Sequence, residues 1–186
     1  MNIFFVNKDP AKAARALCDK HVVKMTVESA QMMATAHRVL DGRLVDSVRW
    51  SNGPNGARIA KNRKVWIHPS LEHQIPKATH VNHPSNVWVR QSTKNYMWLF
   101  WHFNELLYEY EKRYERIHAY TMLANLFAQP PENCPVGKMT PIPCAMDEKF
   151  IISDDPVENY RNYYRLGKVH ILKYKCTRPP RWLQTK

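Results

Sequence analysis

Apolar residues recur at helical spacing along the first part of the chain. The pattern runs from residue 11 to residue 40 and follows Asp9-Pro10, an N-cap residue and a proline suited to the first helical position. Gly42 stands where a glycine commonly follows a helix C-terminus. The pattern therefore predicts one long first helix, with room for a single break.

A second helical pattern covers residues 85–116, and Ser92 or Thr93 can restart it as an N-cap. Its aromatic residues are too closely spaced to form one stripe, which predicts a helix that is buried on more than one side. These aromatic residues are Tyr96, Trp98, Phe100, Trp101 and Phe103.

Two segments lack helical periodicity. Residues 43–84 combine glycine, asparagine, serine and proline with few periodic apolar positions, and residues 129–155 contain five prolines. This composition predicts a loop-rich excursion with irregular structure in the first segment and an ordered, wrapping loop in the second.

The remaining patterns are shorter. They predict a short helix over residues 121–128 and a last helix from Asp155-Pro156 to about Lys175. Residues 2–7 form either a short strand or an anchored end. Together, the segments predict a mainly α fold, a compact single domain over residues 1–186 with long irregular loops.

The distribution of charge indicates a nucleic acid as the binding partner. The net charge of +12 attracts polyanions, and it is concentrated in two clusters. Residues 43–94 hold nine basic and two acidic residues, and residues 161–186 hold eight basic residues and no acidic one. Aromatic residues are interleaved with these cations, as on surfaces that contact phosphates and stack on bases, although a solvated basic surface is the alternative. We predict a monomer that contacts double-stranded DNA through Arg58, Arg63, Lys64, Arg90, Lys94, Arg165, Lys173, Lys175, Arg178, Arg181 and Trp182.

Other classes of function find less support. No apolar stretch approaches the roughly 20 residues of a membrane-spanning helix, and we expect no signal peptide. Four cysteines are too few for a disulfide scaffold, so we expect reduced thiols in a cytoplasm, including that of a phage-infected cell. We expect no cofactor and no metal, because the loop histidines match no familiar zinc spacing and suit phosphate contacts or plain loop positions. These histidines are His68, His73, His80 and His83.

The first predicted helix carries two polar residues on its apolar face. At roughly 100° per residue, His21 and Glu28 share the stripe, and Lys24 lies just beside it, four residues before Glu28. A carboxylate on such a face is costly unless it is paired or borders a cleft. Two interpretations stay open: Glu28 is a functional group, or it belongs to a buried structural network with Lys24, His21 or a backbone amide.

Residues 17–23, with Glu28 seven positions after His21, resemble the first helix of the phage-type pyrimidine-dimer DNA glycosylases, the family of phage endonuclease V. That family shows Leu-x-x-x-His-Leu, followed by a catalytic glutamate at the same distance. The run His-Val-Val-Lys-Met also resembles a broader group of uncharacterised phage proteins. Two further stretches resemble the family. The family's central helix is similar to His83-Pro84 followed by Tyr96, Leu99, Glu109 and Arg113, and its basic aromatic tail is similar to the ending from Lys173 to Trp182.

The resemblance implies a compact helical DNA glycosylase/AP lyase. In that family an amine attacks the sugar C1′ of a damaged nucleotide, the base leaves, a Schiff base forms, and β-elimination cuts the strand. Glu28 would stabilise the developing sugar cation and move protons, and His21 would help to position Glu28 or the DNA. Access to the sugar requires an unstacked or flipped nucleotide.

Three amines are candidates for the nucleophile. The family uses its own α-amino group, and such a group has an ordinary pKa of about 8, which leaves an unprotonated fraction at neutral pH. Because Asn2 is too large to favour removal of the preceding methionine, we expect the amine on Met1. Asn2 after processing and Lys24 are the alternatives.

The chain departs from the family beside the glutamate. Val27 and Gln31 stand where the family places arginines, and this difference bears on which base is recognised. Besides catalysis on damaged or modified bases, two other functions stay open. One is a non-catalytic DNA-binding phage protein, and the other is a base- or nucleotide-modifying enzyme with the same fold.

Overall fold

Five α-helices and one β-hairpin form the framework in the computed structural model, which describes residues 1–184. Lys186, which we counted in the C-terminal basic cluster, lies outside the described residues. The mainly helical prediction is confirmed, with the hairpin as an addition. The elements are α1 (Pro10–Arg15), α2 (Asp19–Leu40), β1 (Arg43–Asn52), β2 (Arg58–Ile67), α3 (Pro84–Val89), α4 (Thr93–Tyr114) and α5 (Pro156–Gly167).

Helix α4 packs against α1 and α2, and this contact forms the centre of the core. Aromatic and aliphatic side chains of α4, among them Tyr96, Leu99 and Phe103, are fully buried there. Both N-terminal signals were interpreted correctly: the Asp9 carboxylate accepts the Lys12 amide proton, and the Ser92 hydroxyl accepts that of Asn95. As predicted, α4 is buried on more than one side.

The first helical pattern is broken once, between α1 and α2. Cys18, with an extended backbone, precedes α2 as its N-cap residue. The Arg113 guanidinium donates to the carbonyls of Arg15 and Leu17, at 3.2 and 2.8 Å, so α4 fixes the position of this break. The position of the break determines where α2 begins and therefore where its side chains point.

Residues 43–67 are a regular antiparallel hairpin, so the predicted irregular excursion is wrong for the first part of 43–84. Strands β1 and β2 pair from Arg43 with Ile67 to Asn52 with Arg58. Gly56, with φ of 76°, lies in the connecting turn. The hairpin was missed because both of its faces are largely exposed, so its strands lack the apolar alternation that marks a half-buried sheet.

Arg38 attaches the base of the hairpin to α2. Its buried guanidinium pairs with the Glu72 carboxylate and donates to the carbonyls of Trp66, Glu72 and Ile75, at 3.1, 2.8 and 3.0 Å. Gly42 lies at the same junction, where a side chain would collide with the carbonyls of Arg38 and Ile67. Close approach of the backbone, rather than a left-handed helix cap, therefore requires this glycine.

Two of the shorter helix predictions need correction. The segment predicted as a helix over 121–128 is a 3-10 helix at Ala119–Leu123 followed by turns. Helix α5 ends at Gly167 rather than near Lys175, because the chain then turns back and the Lys173 carbonyl accepts the Asp19 amide proton at 2.9 Å. Residues 129–155 form the wrapping loop as predicted, with one 3-10 turn at Glu148–Phe150.

The chain start is an anchored end rather than a strand. Residues Ile3, Phe4, Phe5 and Val6 are each at least 96% buried, and none of them belongs to the two-stranded sheet. In residues 1–184, no helix combines the length and the apolar character needed to cross a membrane. Burial of residues 3–6 fixes the position of the two residues that precede them.

Candidate active site

Two ammonium groups and one backbone amide nitrogen surround the Glu28 carboxylate. The α-ammonium nitrogen of Met1 lies 3.8 Å from Oε2, and the backbone N–H of Asn2 donates to the same oxygen at 2.9 Å. The Nζ atom of Lys24, one turn earlier on α2, lies 3.4 Å from Oε1. Each of the three nitrogens considered as a nucleophile, on Met1, Asn2 and Lys24, therefore lies at this one carboxylate.

Side chains from several elements hold the chain start in this position. The Asn2 side chain donates to the Ala145 carbonyl at 3.0 Å and accepts from the Tyr160 hydroxyl of α5 at 3.0 Å. The Asn86 amide of α3 lies 3.0 Å from the Met1 sulfur. The amine is thus fixed relative to α2, α3, α5 and the wrapping loop.

The Glu28 carboxylate is neither sealed in the core nor fully solvated. Its side chain is 12% exposed, that of Met1 is 2% exposed, and that of Lys24 is 65% exposed. The carboxylate lies between the Met1 ammonium and the Lys24 ammonium, and it retains access to solvent. It can therefore receive a proton from, or stabilise a positive charge at, a group placed beside the amine.

The charges of this site also act on His83, which the sequence analysis did not identify as catalytic. Burial lowers its pKa, the positive α-amine and His80 lower it further, and the Glu28 charge opposes that change, so His83 senses both partners. Its Nδ1 atom accepts the Ser85 amide proton at the start of α3, which fixes the ring orientation. Its position before Pro84 was not a sufficient signal, because His68 also precedes a proline and its Nδ1 atom also accepts backbone N–H groups.

His21 occupies a different environment from the one predicted. Its ring stacks on Phe4 with centroids 4.2 Å apart, and its Nδ1 atom lies 2.9 Å from the Tyr164 hydroxyl. Burial lowers the pKa of His21 to about 3, so the ring is neutral at physiological pH. These contacts place it as a core residue behind the chain start, where it supports Phe4 rather than contacting Glu28.

Three buried histidines predict acid sensitivity. Burial lowers the pKa of His21 to about 3 and the pKa values of His37 and His102 to about 4, whereas an unfolded histidine has a pKa of about 6.5. Below about pH 6.5 the unfolded chain binds protons that the folded protein does not. We therefore expect the free energy of unfolding, measured with urea, to fall steadily as the pH is lowered from about 6.5 towards 4.

A matched pair of variants tests the cause of this acid sensitivity. His102→Gln removes a buried neutral imidazole and should reduce the slope of unfolding free energy against pH. His73→Gln, at an exposed position, should leave that slope unchanged. Equal slopes in the two variants would show that His102 does not contribute to the acid sensitivity.

The residues predicted to contact DNA differ in their availability. Lys94 is exposed, whereas the half-buried Arg90 donates to the Val81 carbonyl at 2.8 Å, and burial lowers its pKa. Arg165 and Trp182 are also half-buried, with the Arg165 guanidinium 3.3 Å from the Trp182 carbonyl. The Trp182 ring lies 6.0 Å from Tyr164. The exposed members are Arg58, Arg63, Lys64, Lys94, Lys173, Lys175, Arg178 and Arg181.

One group of side chains has the composition of a metal site. Ligand atoms of His37, Asp41 and His68 lie within 4.8 Å of one another, and the His68 Nε2 atom is buried without a hydrogen-bond partner. However, His37 Nε2 is bonded to the Tyr96 hydroxyl, and both Asp41 oxygens accept backbone N–H groups of residues 132 and 133. These bonds identify the group as an attachment point of the wrapping loop to α2.

Comparison with known families yields a match over about two thirds of the chain. The sequence model of the family described as pyrimidine dimer DNA glycosylase matches residues 1–122. No curated protein and no solved structure matches the chain. The matched residues include Met1, Asn2, Lys24, Glu28 and His83, whereas the C-terminal basic cluster lies beyond them.

Proposed function

The chain belongs to the pyrimidine dimer DNA glycosylase family, and from this premise we propose that it is a DNA N-glycosylase/AP lyase whose nucleophile is the Met1 α-amine. Membership of the family gives the enzyme class and DNA as the substrate. The finer proposal is that double-stranded DNA with a damaged or modified base is cut through a Schiff base. The observation that carries it is the 3.8 Å separation between the α-amine nitrogen and Glu28 Oε2.

The proposed reaction begins with the unprotonated amine. Its nitrogen forms a bond to the sugar C1′ while the bond between C1′ and the base breaks, and the base leaves with the bonding electron pair and takes up a proton. The nitrogen loses a proton, the bond between C1′ and the ring oxygen breaks, and that oxygen takes up a proton, which gives the protonated Schiff base. Removal of a C2′ proton then expels the 3′ phosphate-linked strand by β-elimination.

Glu28 has two tasks in this sequence. Its negative charge stabilises the positive charge that develops on the sugar as the base departs. The same carboxylate carries protons, first from the attacking amine and later from C2′. The N–H of Asn2, which donates to Oε2, and Lys24, which lies beside Oε1, hold the carboxylate in place for both tasks.

Packing of the chain start favours Met1 over the other two amines. The Met1 side chain is 2% exposed, and its sulfur lies against the Asn86 amide, so retention of this methionine fills a buried position. Lys24 is mostly exposed and already forms an i,i+4 ion pair with Glu28. Removal of Met1 would instead create an amine at the Asn2 nitrogen, which is already 2.9 Å from Glu28.

Borohydride trapping on a duplex with one abasic site tests the proposal. We expect a covalent protein–DNA adduct, with peptide mass analysis locating the DNA on the N-terminal peptide. The intact mass of the protein shows whether that peptide begins with Met1 or Asn2.

Lys24→Arg is the matched control, because it keeps the positive charge beside Glu28 and removes the lysine amine that pairs with it. The variant should still form the adduct. Loss of the adduct in Lys24→Arg would identify Lys24 as the nucleophile. Absence of any adduct with the wild-type protein, together with intact salt-sensitive DNA binding, would leave a non-catalytic DNA-binding protein.

A further inference from the structure

The β-hairpin has two chemically different faces. Because side chains alternate along a strand, residues that face each other across the ladder share one side of the ribbon. We call one side the basic face: its outer part contains three cations and no acidic residue. The members of this outer basic face are Ser47, Arg49 and Ser51 of β1 with Ile59, Lys61 and Arg63 of β2.

Like charges are opposed on the basic face. Arg49 lies directly across from Lys61, and Arg63 follows on the same strand two residues after Lys61. Opposed like charges weaken a strand pair by some tenths of a kcal/mol. The acidic residue of the hairpin, Asp46, lies on the other face, where it opposes Lys64. A polyanion laid along the basic face would relieve this repulsion.

The hairpin projects from the helical body. The half-buried residues of β2 are the last three, at the base near Arg38, whereas residues 58–64 are exposed. The outer six residue pairs, from Ser47 with Arg63 to Asn52 with Arg58, extend about 20 Å at the usual rise per residue. The basic face is therefore free to contact a macromolecule along its length.

From this geometry, we infer that the hairpin is a DNA-binding arm whose basic face contacts the phosphate backbone of the duplex beside the damaged nucleotide. A two-stranded ribbon is narrow enough to follow a groove about 12 Å wide between two rows of phosphates. The arm adds affinity that does not depend on sequence, and it leaves the chemistry to the Met1–Glu28 site. This inference rests on the proposed function in one respect, that duplex DNA is the substrate.

The salt dependence of binding to an undamaged duplex tests the arm. The variant Arg49→Gln/Lys61→Gln/Arg63→Gln removes three phosphate contacts. Each contact contributes roughly 0.9 to the slope of log affinity against log salt, so the slope should become shallower by about 2 to 3. The affinity at low salt should fall in parallel.

Lys112→Gln/Lys138→Gln/Lys149→Gln is the matched control, with the same change in net charge at three exposed lysines outside both basic clusters. Its slope should change by less than half as much. Equal slopes in the two triple variants would disprove the DNA-binding arm and show that only the net charge of the protein matters. Because glutamine removes the repulsion between Arg49 and Lys61, the hairpin variant should unfold in urea at no lower midpoint than the wild type.

Trapping distinguishes failure of the arm from failure of the proposed function. At saturating protein, the hairpin variant should form the borohydride adduct at the wild-type rate, because Met1 and Glu28 are unchanged. A wild-type protein that forms no adduct disproves the Schiff base and leaves the comparison of salt slopes valid. A hairpin variant that binds DNA normally yet forms no adduct would disprove the inference that the arm is separate from the catalytic site.

Discussion

Glu28→Gln should abolish most of the strand cleavage while leaving DNA binding intact. The substitution keeps an oxygen that can accept the Asn2 N–H, but it removes the charge that faces the Met1 ammonium and Lys24. Loss of one group that both stabilises charge and transfers protons reduces rates by about 100- to 1000-fold. Single-turnover cleavage of an abasic-site duplex and of ultraviolet-irradiated DNA measures the change.

Glu105→Gln is a suitable control for this experiment. Glu105 is similarly buried, with a side chain 16% exposed, and it also pairs with a cation, Arg15, yet it lies on α4 outside the site. This variant should cleave at the wild-type rate. Equal cleavage by Glu28→Gln and the wild type would refute the assignment of Glu28, whatever the identity of the nucleophile.

The Glu28 site was partly predictable because two of its residues, Lys24 and Glu28, lie on one helix. The spacing of His21, Lys24 and Glu28 placed a carboxylate on an otherwise apolar face, and a nearby lysine suggested the ion pair. Periodicity within a helix cannot show which distant segments reach that face. Asn2, through its bonds to Ala145 and Tyr160, depends on contacts more than 140 residues apart in the chain.

His21 shows the limit of the helical-wheel argument. Two polar residues on one apolar stripe were expected to act together, but seven residues of helix separate them by about 10 Å along the axis. At the first position Phe4 and Tyr164 enclose the imidazole. At the second, the Met1 ammonium and Lys24 pair with the carboxylate. A neutral ring tolerates the first environment, whereas a carboxylate needs the second.

The hairpin was hidden for a different reason. The strands pair the backbone groups that face each other, and solvent can satisfy the groups on the two outer edges, so the sequence needs no apolar face to hold the ladder to a core. Charged residues therefore occupy positions on both faces, and the segment resembles a loop in composition. The hairpin that the sequence analysis missed therefore lies within the basic cluster that it predicted from charge.

Arg113→Met should lower the stability of the whole domain more than any surface substitution. The Arg113 side chain is 1% exposed, and it binds the carboxylates of Glu109 at 2.6 Å and Asp19 at 3.2 Å. Removing one partner of a buried ion pair leaves an uncompensated charge and costs about 3 to 5 kcal/mol. For a chain of this size, each kcal/mol corresponds to about 2 to 4 °C in Tm, so thermal unfolding should begin at least about 6 °C lower.

A double variant shows whether uncompensated charge is the cause. In Arg113→Met/Glu109→Met, the most deeply buried carboxylate disappears with its partner, while Asp19 keeps the Lys175 N–H at 2.8 Å. The double variant should therefore unfold at a higher urea concentration than Arg113→Met alone, by an amount equivalent to at least about 1 kcal/mol. Simple additivity of the two substitutions would mean that packing, not charge, dominates at this position.

The same variant should affect catalysis through position rather than chemistry. Arg113 holds the carbonyls of Arg15 and Leu17 at the break where α2 begins, and Glu28 follows 11 residues later on the same helix. A shift of that break moves the carboxylate relative to the Met1 amine, which is held independently through Asn2 and Asn86. We expect Arg113→Met to reduce the rate of borohydride trapping at temperatures where the variant remains folded. Arg113→Lys keeps the charge but not the planar fork, so its trapping rate should lie between those of the wild type and Arg113→Met.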